Sequence, residues 1–169
     1  TTETVAQRLE RLEVVKALLP KGLARVVYTA RTAQEKQALL DKVRADKGEG
    51  VVFKRLAAVY TPGRPASGGD QLKHKFVDTA TFVVTSHSAD RRSVQLGLSD
   101  VSRDLGSVTI PPNADIPDVG ALVEIRYLYA YPNGALAQPV YRGERDDLDK
   151  TACVEAQLIF KADGANDEE

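Results

Sequence analysis

The segments "GEGVVFKR", residues 48–55, and "QLKHKF", residues 71–76, flank a run rich in Pro and Gly. Each reads as a short strand: the first is β-branched and aromatic from Gly50 to Lys54, and the second alternates. Both carry charge where a half-buried strand should carry little. Glu49 stands at the head of the first, Lys54 closes it, and the second holds Lys73 and Lys75. Side chains two residues apart on a strand point the same way, so Lys73 and Lys75 project together and His74 projects oppositely. Two adjacent ammonium groups repel unless an anion lies between them, and a polyphosphate meets that need. An edge strand using Lys against aggregation is the alternative on these residues alone. Glu49, beside Gly48 and Gly50, reads either as an oxygen ligand for a divalent cation or as a solvated strand end.

Upstream, Thr4 and Gln7 form a capping box before a helix over about 4–19, stopped by Pro20 and Gly22. "LARVVYTA", residues 23–30, reads as a strand, and the capping box Thr32/Glu35 opens a second helix that ends before Gly48. The first part is therefore α-β-α-β. After the loop 57–70 and "QLKHKF" the pattern changes. Residues 78–86, 92–98, 106–110, 121–131 and 152–160 read as strands separated by turn signals, with no convincing helix. About five short strands suggest a small barrel, the OB-fold being the natural candidate. On "RYLYAY", Tyr127, Tyr129 and Tyr131 share one strand face and Arg126 takes the other. Barrel core is the expected role of Tyr127 and Tyr129, with base stacking the alternative. The fold class is α+β, with a first domain over 1–76, a barrel over 77–161 and an acidic tail over 162–169 expected to be disordered.

The length of 169 residues suits one ordinary domain or two small ones, and 43% apolar with 28% charged residues fits a soluble globular chain. No apolar run approaches the roughly 20 residues that span a bilayer, so no membrane partner is expected. The lone Cys153 excludes an internal disulfide and a Cys-rich zinc site, and a cytoplasmic setting is expected. With no Met anywhere, the sequence reads as a fragment or a processed chain. Net charge is −1, yet "DGANDEE" at the end holds four of the 24 acidic residues and none of the 23 basic ones. The remainder is net positive, which permits phosphate binding without demonstrating it.

Together, "EGVVFK", the "YTPGR" loop and "LKHK" resemble the fourth and fifth motifs of the ATP-dependent DNA ligases, in the covalent nucleotidyltransferase superfamily. "PVYRGERDDLDK", residues 139–150, resembles the sixth, and the likeness spans essentially the whole chain in family order. The resemblance implies a partial nucleotidyltransferase (adenylation) domain followed by an OB domain. It implies ATP and Mg²⁺ as cofactors, nicked double-stranded DNA as partner, and a place in DNA repair, replication or recombination. Glu49 matches the acidic residue that supports Mg²⁺. Lys73 and Lys75 match the lysines that contact the nucleotide α-phosphate, and Lys54 the basic end of the fourth motif. Arg145, Asp149 and Lys150 match the OB residues that close over ATP and orient its pyrophosphate. Tyr60 and Arg64 match the loop before the fifth motif, with Arg64 placed at DNA phosphate. His74 and Gln71 depart from the family pattern, where an apolar and an aromatic residue are usual. From the barrel reading itself, Arg91 and Arg92 fall in a hairpin turn, as DNA-phosphate contacts or as a solvated turn.

The superfamily also needs a nucleophilic lysine in a K-x-D-G motif, well before the fourth motif. The one such string here, "KADG" at 161–164, ends the chain with only "ANDEE" after it, and no following strand completes an adenine pocket. The nucleophile is expected on a missing N-terminal half, and this chain alone is expected to be inactive. The competing readings are a non-catalytic OB-fold nucleic-acid-binding module and a fragment of an RNA ligase or capping-type enzyme.

Overall fold

Two capping boxes open the two helices. Thr4 and Gln7 start α1, Val5–Leu18, and Thr32 and Glu35 start α2, Ala33–Ala45. In each, the threonine hydroxyl accepts from the backbone N–H three residues on, and the long polar side chain reaches back to the cap N–H. The Glu35 carboxyl accepts from the backbone N–H groups of Thr32 and Arg31, which hold it below the usual carboxylate range. The computed structural model describes residues 2–62, 69–89 and 92–161. The chain divides between Lys75 and Phe76 into two units.

In the first unit, β1, Gly50–Lys54, pairs antiparallel with β2, Gln71–Lys75. The start of α1 is tied to the segment after β1: Val5 N–H donates to the Ala58 carbonyl at 2.8 Å and Ala6 N–H to Leu56 at 3.0 Å. Val5 and Ala58 are the buried hydrophobic residues of this unit among those described, whereas Leu18 is 80% exposed and Val27 79%. Residues 23–30, expected as a strand, form none. A strand holds only if a neighbour satisfies its backbone, and among the described residues β1 and β2 pair only with each other.

The second unit is a five-stranded antiparallel sheet. Its strands are β3, Asp78–His87; β4, Ser93–Gly97; β5, Ser107–Thr109; β6, Leu122–Tyr127; and β7, Val140–Arg145. Spatial order is β5-β4-β3-β6-β7, and β5 lies against β7, so the sheet curls into a partly closed barrel of OB-fold topology. Ala80, Phe82 and Val84 of β3 face inward, while between them Thr81 is also buried and Val83 is half-buried against the core. With Val94, Ile125 and Tyr127 they form one continuous apolar core.

The fifth strand is not the expected one. Where residues 152–160 were expected as a strand, the chain forms two 3-10 turns, Lys150–Ala152 and Glu155–Gln157, and a single bridge from Phe160 to Ala130. Burial at Cys153 and Leu158 is five residues apart, which no period-2 strand can supply. A side chain takes the strand's place. The Gln157 amide accepts from Thr81 N–H at 2.9 Å and donates to the Thr81 carbonyl at 2.8 Å, satisfying β3 where β4 has ended. The actual fifth strand, β7, has a bulge that leaves Arg142 out of the ladder, and its half-buried positions are Tyr141, Gly143 and Arg145, so its burial alternates without an apolar alternation to show it. The strand expected over 121–131 stops at Tyr127. Tyr127 is fully buried, its hydroxyl accepting from Ile159 N–H at 3.0 Å, and burial raises its pKa. Tyr131 lies beyond the strand and is exposed.

Hydrogen–deuterium exchange should separate the units. Amides of β1 and β2, with little apolar burial around them, are expected to exchange roughly 100-fold or more faster than those of β3 and β6. Equal protection would show that the first unit is as stable as the barrel. Among the described residues no helix is long and apolar enough to cross a membrane.

Candidate functional site

The β1–β2 register determines what shares a face. Gly50 pairs with Lys75, Val52 with Lys73, and Lys54 with Gln71. Cross-strand partners project to the same side, so Lys54, Lys73 and Lys75 stand on one face with Val52 between them. Val51, Phe53, Leu72 and His74 take the other. Lys54 and Lys73 are exposed and Lys75 is half-buried. Lysines gathered on one face of a narrow ribbon give it positive character, which favours an anion such as phosphate there.

Gly50 is required for this geometry. Its φ is 146°, and a Cβ there would come within 2.0 Å of the His74 carbonyl oxygen. β1 can therefore press against the end of β2 opposite Lys75. At the other end of the ribbon, Arg55 N–H donates to the Asp70 carbonyl at 2.9 Å and its guanidinium lies 3.3 Å from the Asp70 carboxylate. Tyr60 is held by Arg8, whose guanidinium sits 5.4 Å from the ring centroid.

Glu49 is delivered by the end of α2. Lys47 takes a left-handed φ of 54°, Gly48 N–H returns to the Val43 carbonyl at 2.8 Å, and the chain turns into β1. Glu49 is exposed immediately before Gly50. Among the described residues no group of three or more acidic, His or Cys side chains converges as a metal cage. A single hard carboxylate fits Mg²⁺, which is commonly held by one or two carboxylates together with water and substrate phosphates.

The second unit places Arg145, Asp149 and Lys150, the residues that resemble the sixth motif, at and after the end of β7. The half-exposed Arg145 donates from Nε to Asp147 Oδ1 at 2.6 Å and from Nη2 to Oδ2 at 2.7 Å, with Glu124 4.0 Å away. This fork raises the Arg145 pKa and lowers that of Asp147, whose carboxylate accepts both bonds. Asp149 caps the first 3-10 turn, accepting from Thr151 N–H and hydroxyl at 2.9 Å each, and these donors hold its carboxyl low. The Lys150 ammonium lies 3.1 Å from where a Cβ on Gly120 would be, so a side chain at 120 would crowd it. Arg92 donates to the carbonyls of Pro111 and Ala114, pinning the turn after β5. Arg64 and Arg91 lie outside the described residues.

The residue that sequence reasoning passed over is Asp147. Its signal was available, an acid two residues after a basic motif residue, but three acids follow Arg145 within four positions. Nothing local distinguishes the one that folds back onto the guanidinium.

No family model and no curated protein matches the chain. Solved structures do. A structure described as a structure–function analysis of Lig E DNA ligases binding DNA with a minimal scaffold superposes with a TM-score of 0.68 at 19% identity, covering 86% of this chain and 60% of that one. A second, described as Pmar-Lig_Pre, superposes with a TM-score of 0.58 at 19% identity, covering 86% of this chain and 40% of that one. At such identity the likeness is one of fold, and the chain spans less than two thirds of either protein's length.

Proposed function

We propose that this chain is the C-terminal part of an ATP-dependent DNA ligase, comprising the end of its nucleotidyltransferase domain and its OB domain. The observation that supports this most directly is the projection of Lys54, Lys73 and Lys75 from one accessible ribbon face rather than into an apolar core. In this reading Lys73 and Lys75 contact the nucleotide α-phosphate and Lys54 adds to the same positive face. Fixed cations aimed at phosphoryl oxygens stabilise the charge that develops there during transfer. Glu49 holds Mg²⁺, which when bound neutralises phosphate charge. Arg145, Asp149 and Lys150 orient the departing pyrophosphate from the OB domain, and Arg64, Arg91 and Arg92 contact DNA phosphates.

For the whole enzyme the reading assigns three transfers. A lysine attacks the α-phosphorus of ATP and releases pyrophosphate. The 5′-phosphate at a nick then takes AMP from that lysine, and the 3′-hydroxyl attacks the activated 5′-phosphate and releases AMP. The setting is cytoplasmic DNA repair, replication or recombination. In this reading the nucleophilic lysine lies on a complementary N-terminal half. The exposed apolar side chains of the first unit, and the β1–β2 edges that no other strand joins among the described residues, suit a surface that such a half covers.

Two measurements on the 169-residue chain test this. Incubated with α-labelled ATP and Mg²⁺, it is expected to take up no covalent label. In binding titrations at about 0.15 M salt it is expected to prefer nicked over intact duplex by roughly tenfold or more. Covalent label on this chain would overturn the missing-nucleophile assignment. Indifference to the nick would make it a generic OB binder, and preference for an RNA-containing nick would move it to RNA ligation.

A further inference from the structure

Arg145 is the one residue of the proposed phosphate-contacting set whose guanidinium the described structure shows already engaged by a carboxylate through two donors of one edge. Nε and Nη2 each donate to a different oxygen of Asp147, at 2.6 and 2.7 Å. That is the two-point geometry with which arginine binds phosphate. We propose that Asp147 is a positioning residue that stands in for phosphate: it holds the Arg145 fork preformed at the end of β7 and yields it when a polyphosphate arrives. The inference rests on the proposed reading of Arg145 as a phosphate contact.

The surroundings suit a releasable hold. Asp147 is two residues from Arg145 and exposed, so its carboxylate regains water when displaced. Glu124 on β6, 4.0 Å from Arg145, is the second anion facing the guanidinium and keeps it near the sheet after release. Asp146 adds a further negative charge nearby without a hydrogen bond to the fork. Because Arg145 holds the Asp147 carboxyl low, the grip is complete at neutral pH. It is lost only as pH falls through that depressed value. An arriving anion at neutral pH therefore competes with Asp147 for the fork. The hold keeps Arg145 oriented and lowers its apparent affinity for phosphate.

The test is a titration of the full chain with inorganic pyrophosphate, followed by ³¹P and arginine Nε–H NMR signals. Asp147→Asn is expected to tighten binding roughly fivefold, the size of a lost exposed ion-pair competitor. Asp147→Glu should restore the wild-type value, and adding Arg145→Ala to Asp147→Asn should abolish the gain. Asp146→Asn, with the same change in charge, should give a clearly smaller effect. The proposal is overturned if Asp147→Asn binds no tighter than wild type, if Asp146→Asn matches it, or if the gain survives removal of Arg145. The reading of Arg145 fails separately if Arg145→Ala leaves pyrophosphate binding unchanged in the wild-type background.

Discussion

Replacing Lys73 and Lys75 together by Ala is expected to slow adenylyl transfer by roughly 100-fold or more when the chain is combined with a half carrying the K-x-D-G lysine. The readout is label from α-labelled ATP appearing on that lysine. The two ammonium groups share one ribbon face with Lys54, so removing both takes most of the fixed positive charge from the proposed α-phosphate position. The fold should survive. Lys73 is exposed and Lys75 half-buried, on a ribbon where no residue is fully buried. The change in stability is expected to stay within about 0.5 kcal/mol. Lys36→Ala with Lys42→Ala, on α2, removes the same charge elsewhere and is expected to leave the rate nearly unchanged. Undiminished transfer in the Lys73/Lys75 variant would remove the lysine face from the mechanism.

Phe82→Ala is expected to destabilise the barrel by about 3–5 kcal/mol, which is comparable with the whole stability of many small domains. Phe82 is fully buried on β3, the strand that pairs with both β4 and β6, so its loss opens a cavity at the centre of the core. Urea unfolding followed by circular dichroism should show a much lower midpoint with an unchanged slope. The same truncation at Phe53 is expected to cost under about 1 kcal/mol, since that ring is 44% exposed in this chain. Comparable costs at the two sites would contradict the contrast in packing between the units.

What was legible in the sequence was local. The two helices could be read because a capping box is chemistry between residues three apart. The pairing of Lys73 with Lys75 on one face needed only strand periodicity. β3 and β4 were legible because their apolar residues alternate against a single core. The failures also have physical causes. Residues 23–30 carry the composition of a strand, but strand composition does not supply a neighbour to bond. Residues 152–160 carry it too, but the Gln157 side chain makes the bonds to β3. β7 was masked because its half-buried face is Tyr141, Gly143 and Arg145, so regular alternation in burial carries almost no alternation in hydrophobicity.

The sequence by itself determined the helix starts, the strand character of "GVVFK" and "QLKHK", the likeness to a ligase motif order and the absence of a K-x-D-G string upstream of Glu49. The helix starts and strands depend on residues a few positions apart, and the motif order and the missing string on which short strings occur and in what order along the chain. Tertiary structure alone decided that Lys54 joins Lys73 and Lys75, that the barrel closes with β7, and that Asp147 occupies Arg145. The first two follow from cross-strand register and a bulge. The third depends on which of three neighbouring acids the backbone after β7 turns toward the guanidinium. Such choices are set by where separate stretches of chain meet, and residue identity along a single stretch does not encode that meeting.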